Sequence, residues 1–397
     1  MVVMFMPSQA GAPTTTPLPY TASPLKLLVS DVILCLSCIR YLPGILLPLK
    51  PYSSGKLDEL YPSRGNLTAL AVHGVLIVYQ VAFILSLPVL LFLPIYICLF
   101  YIASVFLLSN RICAFLNGRQ RFLVSHVPLP RSDHESEHWI FINGVGVGRH
   151  WLQSNLDRLS LTFGRKITGI HNETAGIIFD VIQCLIQRCF CYATEDVRDA
   201  YVFVKQTLLN EKYEKIVLIL HSQGGVEGGL ILDWLFDALD DKTLGKLEIY
   251  TFGNAANHWN NPTRKYTDQG KPERCIPHIE HYVNSEDFVA MWGILDFIRI
   301  PSRYLGDVFI RQGSGHLLNQ HYLDTMFPLS HDKRQVLGEN EFMRQNVKLI
   351  SCGSTPKNTD FTMATEKLAQ NRDIDGIGSK LRDYSRLWRY RNGASPD

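Results

Sequence analysis

The hydrophobic pattern is most extreme between Leu67 and Leu108, where no Asp, Glu, Lys or Arg occurs. His73, Gln80 and Ser86 interrupt the first half of this run. A bilayer span takes roughly 20 apolar residues, so the run is long enough to cross twice. Pro88 and Pro94 fall near its middle. Proline removes a backbone donor and disfavours the preceding turn of helix, so the pattern predicts two helices meeting at a bend. Lys56 and Arg64 precede the run, and Arg111, Arg119 and Arg121 follow it. Positive flanks at both ends fit a hairpin whose two ends face the cytosol. A re-entrant hairpin in one leaflet, or in a lipid-droplet monolayer, fits the same pattern. A helix pair buried in a soluble core is the third reading.

Around this run the pattern changes character. Met1–Leu18 is rich in Pro and Thr, has no basic n-region, and reads as a disordered lead. Leu25–Leu49 is apolar but broken by Asp31, Arg40 and several prolines. Within it, Leu27–Tyr41 reads as an amphipathic or interfacial helix, because a charge at a bilayer centre costs on the order of 3 kcal/mol. Pro51–Asn66 is a polar linker. From His138 onward, short apolar runs alternate with amphipathic stretches. Strands are expected at Trp139–Ile142, Lys166–Ile170, Lys215–Leu220, Leu247–Phe252, Ile279–Asn284 and Asp307–Arg311. Helices are expected at Glu173–Phe190, Val197–Leu209 and Gln223–Leu239. Alternation of this kind predicts an α/β fold, a mostly parallel sheet flanked by helices. The expected organisation is an N-terminal region 1–66, a hydrophobic hairpin 67–108, a linker 109–137, an α/β domain 138–329 and a polar tail 330–397. At the end of the tail, Leu381, Tyr384, Leu387, Trp388 and Tyr390 lie among Lys380, Arg382, Arg386, Arg389 and Arg391. That segment is either a basic helix lying on an anionic membrane surface or a terminal helix docked through its aromatics.

Composition narrows the function classes. Hydrophobic residues make up 46% and charged residues 19%, ordinary globular values, and the net charge of +2 gives no bulk attraction to nucleic acid. Nine cysteines at irregular spacing do not form a disulfide framework, which suggests a reducing compartment. Cys35 and Cys38 have C-x-x-C spacing in an apolar context, and Cys189 and Cys191 lack a second ligand pair, so no metal site is expected. Gly144-x-Gly146-x-Gly148 departs from the dinucleotide fingerprint, and no GK[ST] follows it. No cofactor is expected.

The chemistry-bearing motif is Leu220-His221-Ser222-Gln223-Gly224-Gly225, between the strongest strand and a helix. A serine hydroxyl needs a base to become a nucleophile. A sharp strand-to-helix turn projects it above the sheet and sets the next N–H at a helix N-terminus, where negative charge is stabilised. The motif resembles the nucleophile elbow of the α/β-hydrolase superfamily, with a sequence similar to those of lipases and serine esterases. It departs from G-x-S-x-G in having Leu220 two residues before the serine. The resemblance spans roughly 139–327 and implies an α/β-hydrolase-type sheet and a triad in the order Ser, acid, His. Its carboxylate would be Asp287, with Glu286 as the neighbouring alternative. Its base would be His316, with His321 as the alternative. By the same resemblance, Phe141-Ile142-Asn143-Gly144-Val145-Gly146 matches the loop that donates the second oxyanion-hole N–H, so the hole would be formed by Val145 and Gln223. His171-Asn172 would line the pocket, and Gly253–Pro277 would act as a small lid.

These readings imply a membrane-anchored serine hydrolase of lipid esters, with a lipid or acyl-ester substrate, at the endoplasmic reticulum or a lipid droplet, its catalytic domain cytosolic. Two alternatives remain open: an acyl-protein thioesterase of the same chemistry, and a catalytically silent α/β membrane scaffold.

Overall fold

The computed structural model describes residues 2–8, 23–129, 134–266, 272–338, 340–350 and 380–396. Its strands are β1 (Val2–Met6), β2 (Phe122–Val124), β3 (Glu137–Ile142), β4 (Ile167–Ile170), β5 (Lys215–His221), β6 (Leu247–Phe252), β7 (Thr263–Tyr266), β8 (Pro272–Arg274), β9 (His278–Asn284), β10 (Asp307–Arg311) and β11 (Asn346–Leu349). The principal helices are α1 (Pro24–Ser37), α2 (Arg64–Leu90), α3 (Ile95–Asn117), α4 (Arg149–Phe163), α5 (Ile177–Phe190), α6 (Glu195–Leu209) and α7 (Gln223–Ala238). Each strand and helix expected above is present. The aliphatic run Ile216–Leu220 forms a central strand because both of its faces are covered by packed side chains.

Nine strands form one sheet in the order β11-β1-β10-β9-β6-β5-β3-β4-β2. The six strands from β4 to β10 are mutually parallel, while β2 and β1 pair antiparallel to β4 and β10. Register is direct: Ile140 sits opposite Leu218 on one side and Thr168 on the other. Side chains alternate between two layers, as strand geometry requires. Ile140, Ile142, Leu218 and Leu220 pack with Val197 and Val204 of α6 and Ile231 of α7. Trp139, Phe141, Val217 and Ile219 pack with Leu152, Leu156 and Leu159 of α4.

One expectation is corrected, and one of two open readings is selected. Val2–Met6 is not part of a disordered lead: it is a buried strand between β10 and β11, and residues 9–18 of that lead lie outside the described residues. For the terminal aromatic segment, the reading of a helix docked through its aromatics is the one found. Leu381, Leu387, Trp388 and Tyr390 are buried in the α4 layer, and Tyr390 donates to Glu248 Oε2 at 2.8 Å. The sheet and core thus extend beyond the 138–329 boundary at both ends.

The hydrophobic run folds as expected into two helices, α2 and α3, joined at Leu91–Leu93 with Pro94 at the start of α3. Both are long and apolar enough to cross a membrane. Their apolar windows are only 17% and 22% buried, which removes the soluble-core reading. Asp31 of α1 is turned inward. It receives two hydrogen bonds from Arg188 of α5, at 2.7 and 2.6 Å, so the charge that breaks this segment is buried and paired.

Candidate active site

Strand order reverses around β3: the chain passes from β3 to β4 on one side, then returns to β5 on the other. In open α/β sheets ligands bind at such a switch point, beyond the carboxyl ends of the strands. Those ends carry Asn143-Gly144 from β3 and Ser222 from β5.

Ser222 has φ 59° and ψ −122°, a sparsely populated conformation for a residue with a side chain. Such backbone costs on the order of 1–3 kcal/mol and persists only where its surroundings impose it. Here the Ser222 N–H donates to the Phe252 carbonyl at 3.0 Å, and the Ser222 carbonyl accepts from Gly225 and Ala255 at 3.0 and 3.1 Å. The departure at Leu220 has a structural answer. Its side chain is fully buried, and a Cβ at Gly228, on α7, would collide with Leu220 Cδ1. The bulk that the usual motif avoids before the serine is thus offset by a missing side chain on the following helix.

The candidate acid and candidate base meet directly. His316 Nδ1 donates to Asp287 Oδ2 at 2.8 Å. Tyr322 donates to the same oxygen at 2.7 Å, and Asp287 Oδ1 accepts from the Val289 N–H at 2.9 Å. The carboxylate is completely buried. Gly253, one residue after the carbonyl that holds Ser222, lies against this pair: a Cβ there would come within 2.8 Å of Asp287 Oδ2 and 3.0 Å of His316 Nδ1. His321 does not join them. Its Nδ1 accepts from the Leu317 N–H at 3.0 Å and its Nε2 donates to the Pro48 carbonyl at 2.9 Å, so both ring nitrogens are taken by backbone. Glu286 makes no contact with either histidine among the described hydrogen bonds.

The glycine loop after β3 faces the serine: a Cβ at Gly144 would fall 2.9 Å from Ser222 Oγ. Gln223 begins α7, so its N–H has no carbonyl a turn earlier in that helix. Val145 follows Gly144 in the loop turn. The adjacent Gly146 N–H donates to Asp180 Oδ2 at 2.9 Å. Asp180, in the first turn of α5, also accepts from Thr174 Oγ1 at 2.6 Å and the Ala175 N–H at 2.7 Å. Burial raises its carboxyl to about 6. Asn143 accepts from the Asn172 N–H at 3.0 Å, Asn172 Nδ2 donates to Gln223 Oε1 at 3.1 Å, and Gln223 Nε2 donates to Gln187 at 2.8 Å. A continuous amide network therefore backs the loop and the first residue of α7. At its far end, Gln187 approaches the fully buried Glu227, whose carboxyl burial pushes well above the ordinary range.

Several of these residues carry no sequence signal. His221 stacks on His316, with ring centroids 4.7 Å apart, and donates from Nε2 to the His316 carbonyl at 2.8 Å. Burial, with the neighbouring His316 charge adding to it, lowers the His221 imidazole to about 3. That ring is therefore a neutral support. Glu59, from the linker, accepts from the N–H groups of Asn319 and Gln320 at 2.9 and 3.1 Å, just after the His316 loop. An acid accepting backbone N–H groups so far away in sequence leaves no spacing to detect. Of the expected lid, Gly253 lies against the Asp287–His316 pair, residues 267–271 lie outside the described residues, and the rest contacts the far part of α7 and the turn after it. Arg264 of β7 and Cys275 after β8 contact Asp241, and His258 contacts Asp233. Asp233 is eleven residues along α7 from Ser222, roughly 16 Å at 1.5 Å per residue, so this hairpin lies away from the serine. Among the described residues no cluster of His, Cys, Asp and Glu is arranged to hold a metal ion.

No family model matches the chain, and no curated protein matches it in sequence. Among solved structures it is similar to alpha/beta hydrolase domain-containing protein 10 from mouse, at 12% identity and a TM-score of 0.28, covering 49% of this chain and 85% of that one. The fold is of the α/β-hydrolase type by its own topology: a mostly parallel sheet with flanking helices, a switch point at β3, and a positive-φ serine turn after the central strand.

Proposed function

We propose that the chain is a membrane-anchored serine hydrolase of lipid esters. The observation that carries this reading is the 2.8 Å bond from His316 Nδ1 to the buried Asp287 carboxylate, with His316 stacked on His221, the residue before a serine held in an elbow conformation. Asp287 fixes the His316 tautomer, leaving Nε2 free to act as base. His316 takes the Ser222 proton as Oγ attacks the ester carbonyl. The N–H groups of Val145 and Gln223 receive the oxyanion, and each such donor is worth about 3 kcal/mol in the transition state. The tetrahedral intermediate collapses, the C–O bond to the alcohol breaks, and His316 gives its proton to the leaving oxygen. Water, deprotonated by His316, then cleaves the acyl-enzyme and frees the fatty acid. The apolar hairpin supports a lipid substrate, because it keeps the site beside an insoluble one.

The test is covalent labelling of the detergent-solubilised full chain with a fluorophosphonate. The wild type is expected to label and Ser222→Ala is not. Folded wild-type protein that fails to label would return the scaffold reading. A panel of glycerolipids, phospholipids and acyl thioesters on the labelling-competent protein then separates esterase from thioesterase.

A further inference from the structure

The hairpin does not stand free of the domain. The buried positions of α2 are Asn66, Ala69, His73, Leu76, Gln80 and Phe83, a stripe of alternating three- and four-residue steps. Every one of them lies before Ser86. The stripe packs on the α/β domain. His73 stacks on Trp151 at 5.5 Å, Gln80 donates to the Ala175 carbonyl at 2.6 Å, and Phe83 meets Phe179 of α5 edge-on at 6.0 Å. α3 is held the same way, with Phe106 stacked on Phe179 at 5.5 Å and Asn117 donating to the Thr174 carbonyl at 2.8 Å. Past Phe83, α2 buries no further position, so the seam with the domain ends there. Seven residues from Phe83 to Leu90 rise about 10 Å, and the turn adds a few more. A bilayer core is roughly 30 Å thick, so the projection matches one leaflet and falls far short of a crossing.

At the level where the hairpin leaves the domain, the surface beside it is also apolar. α5 packs against α2 on one side and α1 on the other. Val181, Ile182, Ile186 and Phe190 of α5 are exposed, as are Val29, Ile33 and Leu36 of α1 and Ile39 and Leu42 beyond it. The only acid of α1, Asp31, is turned inward and sequestered by Arg188. Counted from the tip along α3, the first charge is Arg111, which is exposed and lies two residues beyond Ser109, which faces Gln80. That sets it about a turn and a half toward the domain from Phe83, at a depth suited to lipid phosphates.

We propose that this chain is monotopic: the tip of α2 and α3 fills one leaflet while the outer face of α1 and α5 lies on the same leaflet's surface. The occupant of the apolar face is thus a lipid layer. This deepens the membrane attachment proposed above and rests on it. The face also borders both sides of the candidate site. Gly146 of the loop after β3 abuts Ile177 and His73, and Gly44, beyond α1, lies against the Glu286 carbonyl and Ser314.

The test places an environment-sensitive fluorophore at Leu91→Cys, Ile33→Cys or Ile186→Cys, in a full chain whose Cys35, Cys191 and Cys352 are serine. The labelled proteins are bound to phosphatidylcholine–phosphatidylserine vesicles carrying shallow or deep spin-labelled lipids, with circular dichroism checking the fold. The label at 91 should lose most fluorescence to the deep quencher and none to an impermeant quencher trapped in the lumen. The labels at 33 and 186 should lose most to the shallow quencher. Lumenal quenching at 91 would overturn the one-leaflet depth, and purely aqueous quenching at 33 and 186 would overturn the platform. A folded chain that does not float with vesicles at all would overturn the membrane attachment itself, leaving the Ser222 chemistry to its own labelling test.

Discussion

Asp180→Asn tests whether a residue that never touches substrate sets the oxyanion loop. The wild-type carboxylate accepts from Gly146 N–H, Thr174 Oγ1 and Ala175 N–H. Asparagine keeps one acceptor oxygen and sets an NH2 group against donors that have nowhere else to go inside the fold. A buried donor left unpaired costs about 1–3 kcal/mol, and here the strained group is the backbone next to Val145. If the Val145 N–H is displaced, most of one hole donor is lost, about 3 kcal/mol or on the order of a hundredfold in rate. Stability has its own pH signature. Burial raises Asp180 from 3.8 to about 6, so between those values the folded state binds the proton that the unfolded state has released. Stability contributed by this group therefore falls as pH rises through that window, by about 3 kcal/mol at 1.36 kcal/mol per unit. The variant lacks this fall. The assay pairs fluorophosphonate labelling rates with denaturant unfolding of wild type and variant at pH 4 and pH 8. The variant should label far more slowly at pH 8, while its stability relative to wild type improves from pH 4 toward pH 8. Wild-type labelling by a folded variant would refute the role of Asp180 in the loop, and a pH-independent stability difference would refute its raised protonation.

Two further substitutions separate neighbours. His316→Gln should abolish labelling, whereas His321→Gln should retain measurable labelling but lower the unfolding midpoint, because it loses the Pro48 contact from Nε2; the reverse pattern in paired labelling and thermal scans would exchange the two roles. Asp31→Ala leaves the fully buried Arg188 guanidinium without its carboxylate, and breaking a buried pair in this way costs about 3–5 kcal/mol; an unchanged denaturant midpoint would show that the bonds from Arg188 to the Ala255 and Trp292 carbonyls suffice.

The parallel strands were legible because a strand buried on both faces must be aliphatic at consecutive positions, as Ile216–Leu220 is. The elbow was legible because a serine followed by glycines between such a strand and a helix is local information. The hairpin was legible by length and lack of charge. What the chain alone left open depended on partners far away in sequence. His73 and Gln80 look like interruptions of a lipid-facing run, yet Trp151 and Ala175 make them the seam to the domain. In a helix apolar all round, nothing local marks which face will be covered. Val2–Met6 is too short to announce a strand until β10, some three hundred residues later, offers its edge. Asp31 argues against burial until Arg188 arrives to pair with it. His316 was the expected base and His321, five residues later, its alternative. They separate only when loop closure brings one ring to Asp287 and gives the other to the Pro48 carbonyl. Local patterning therefore determined the elements and the candidate serine turn. The pairing of His316 with Asp287 and the seam of the hairpin were decided by long-range contacts, because those energies exist only once distant segments share the same space.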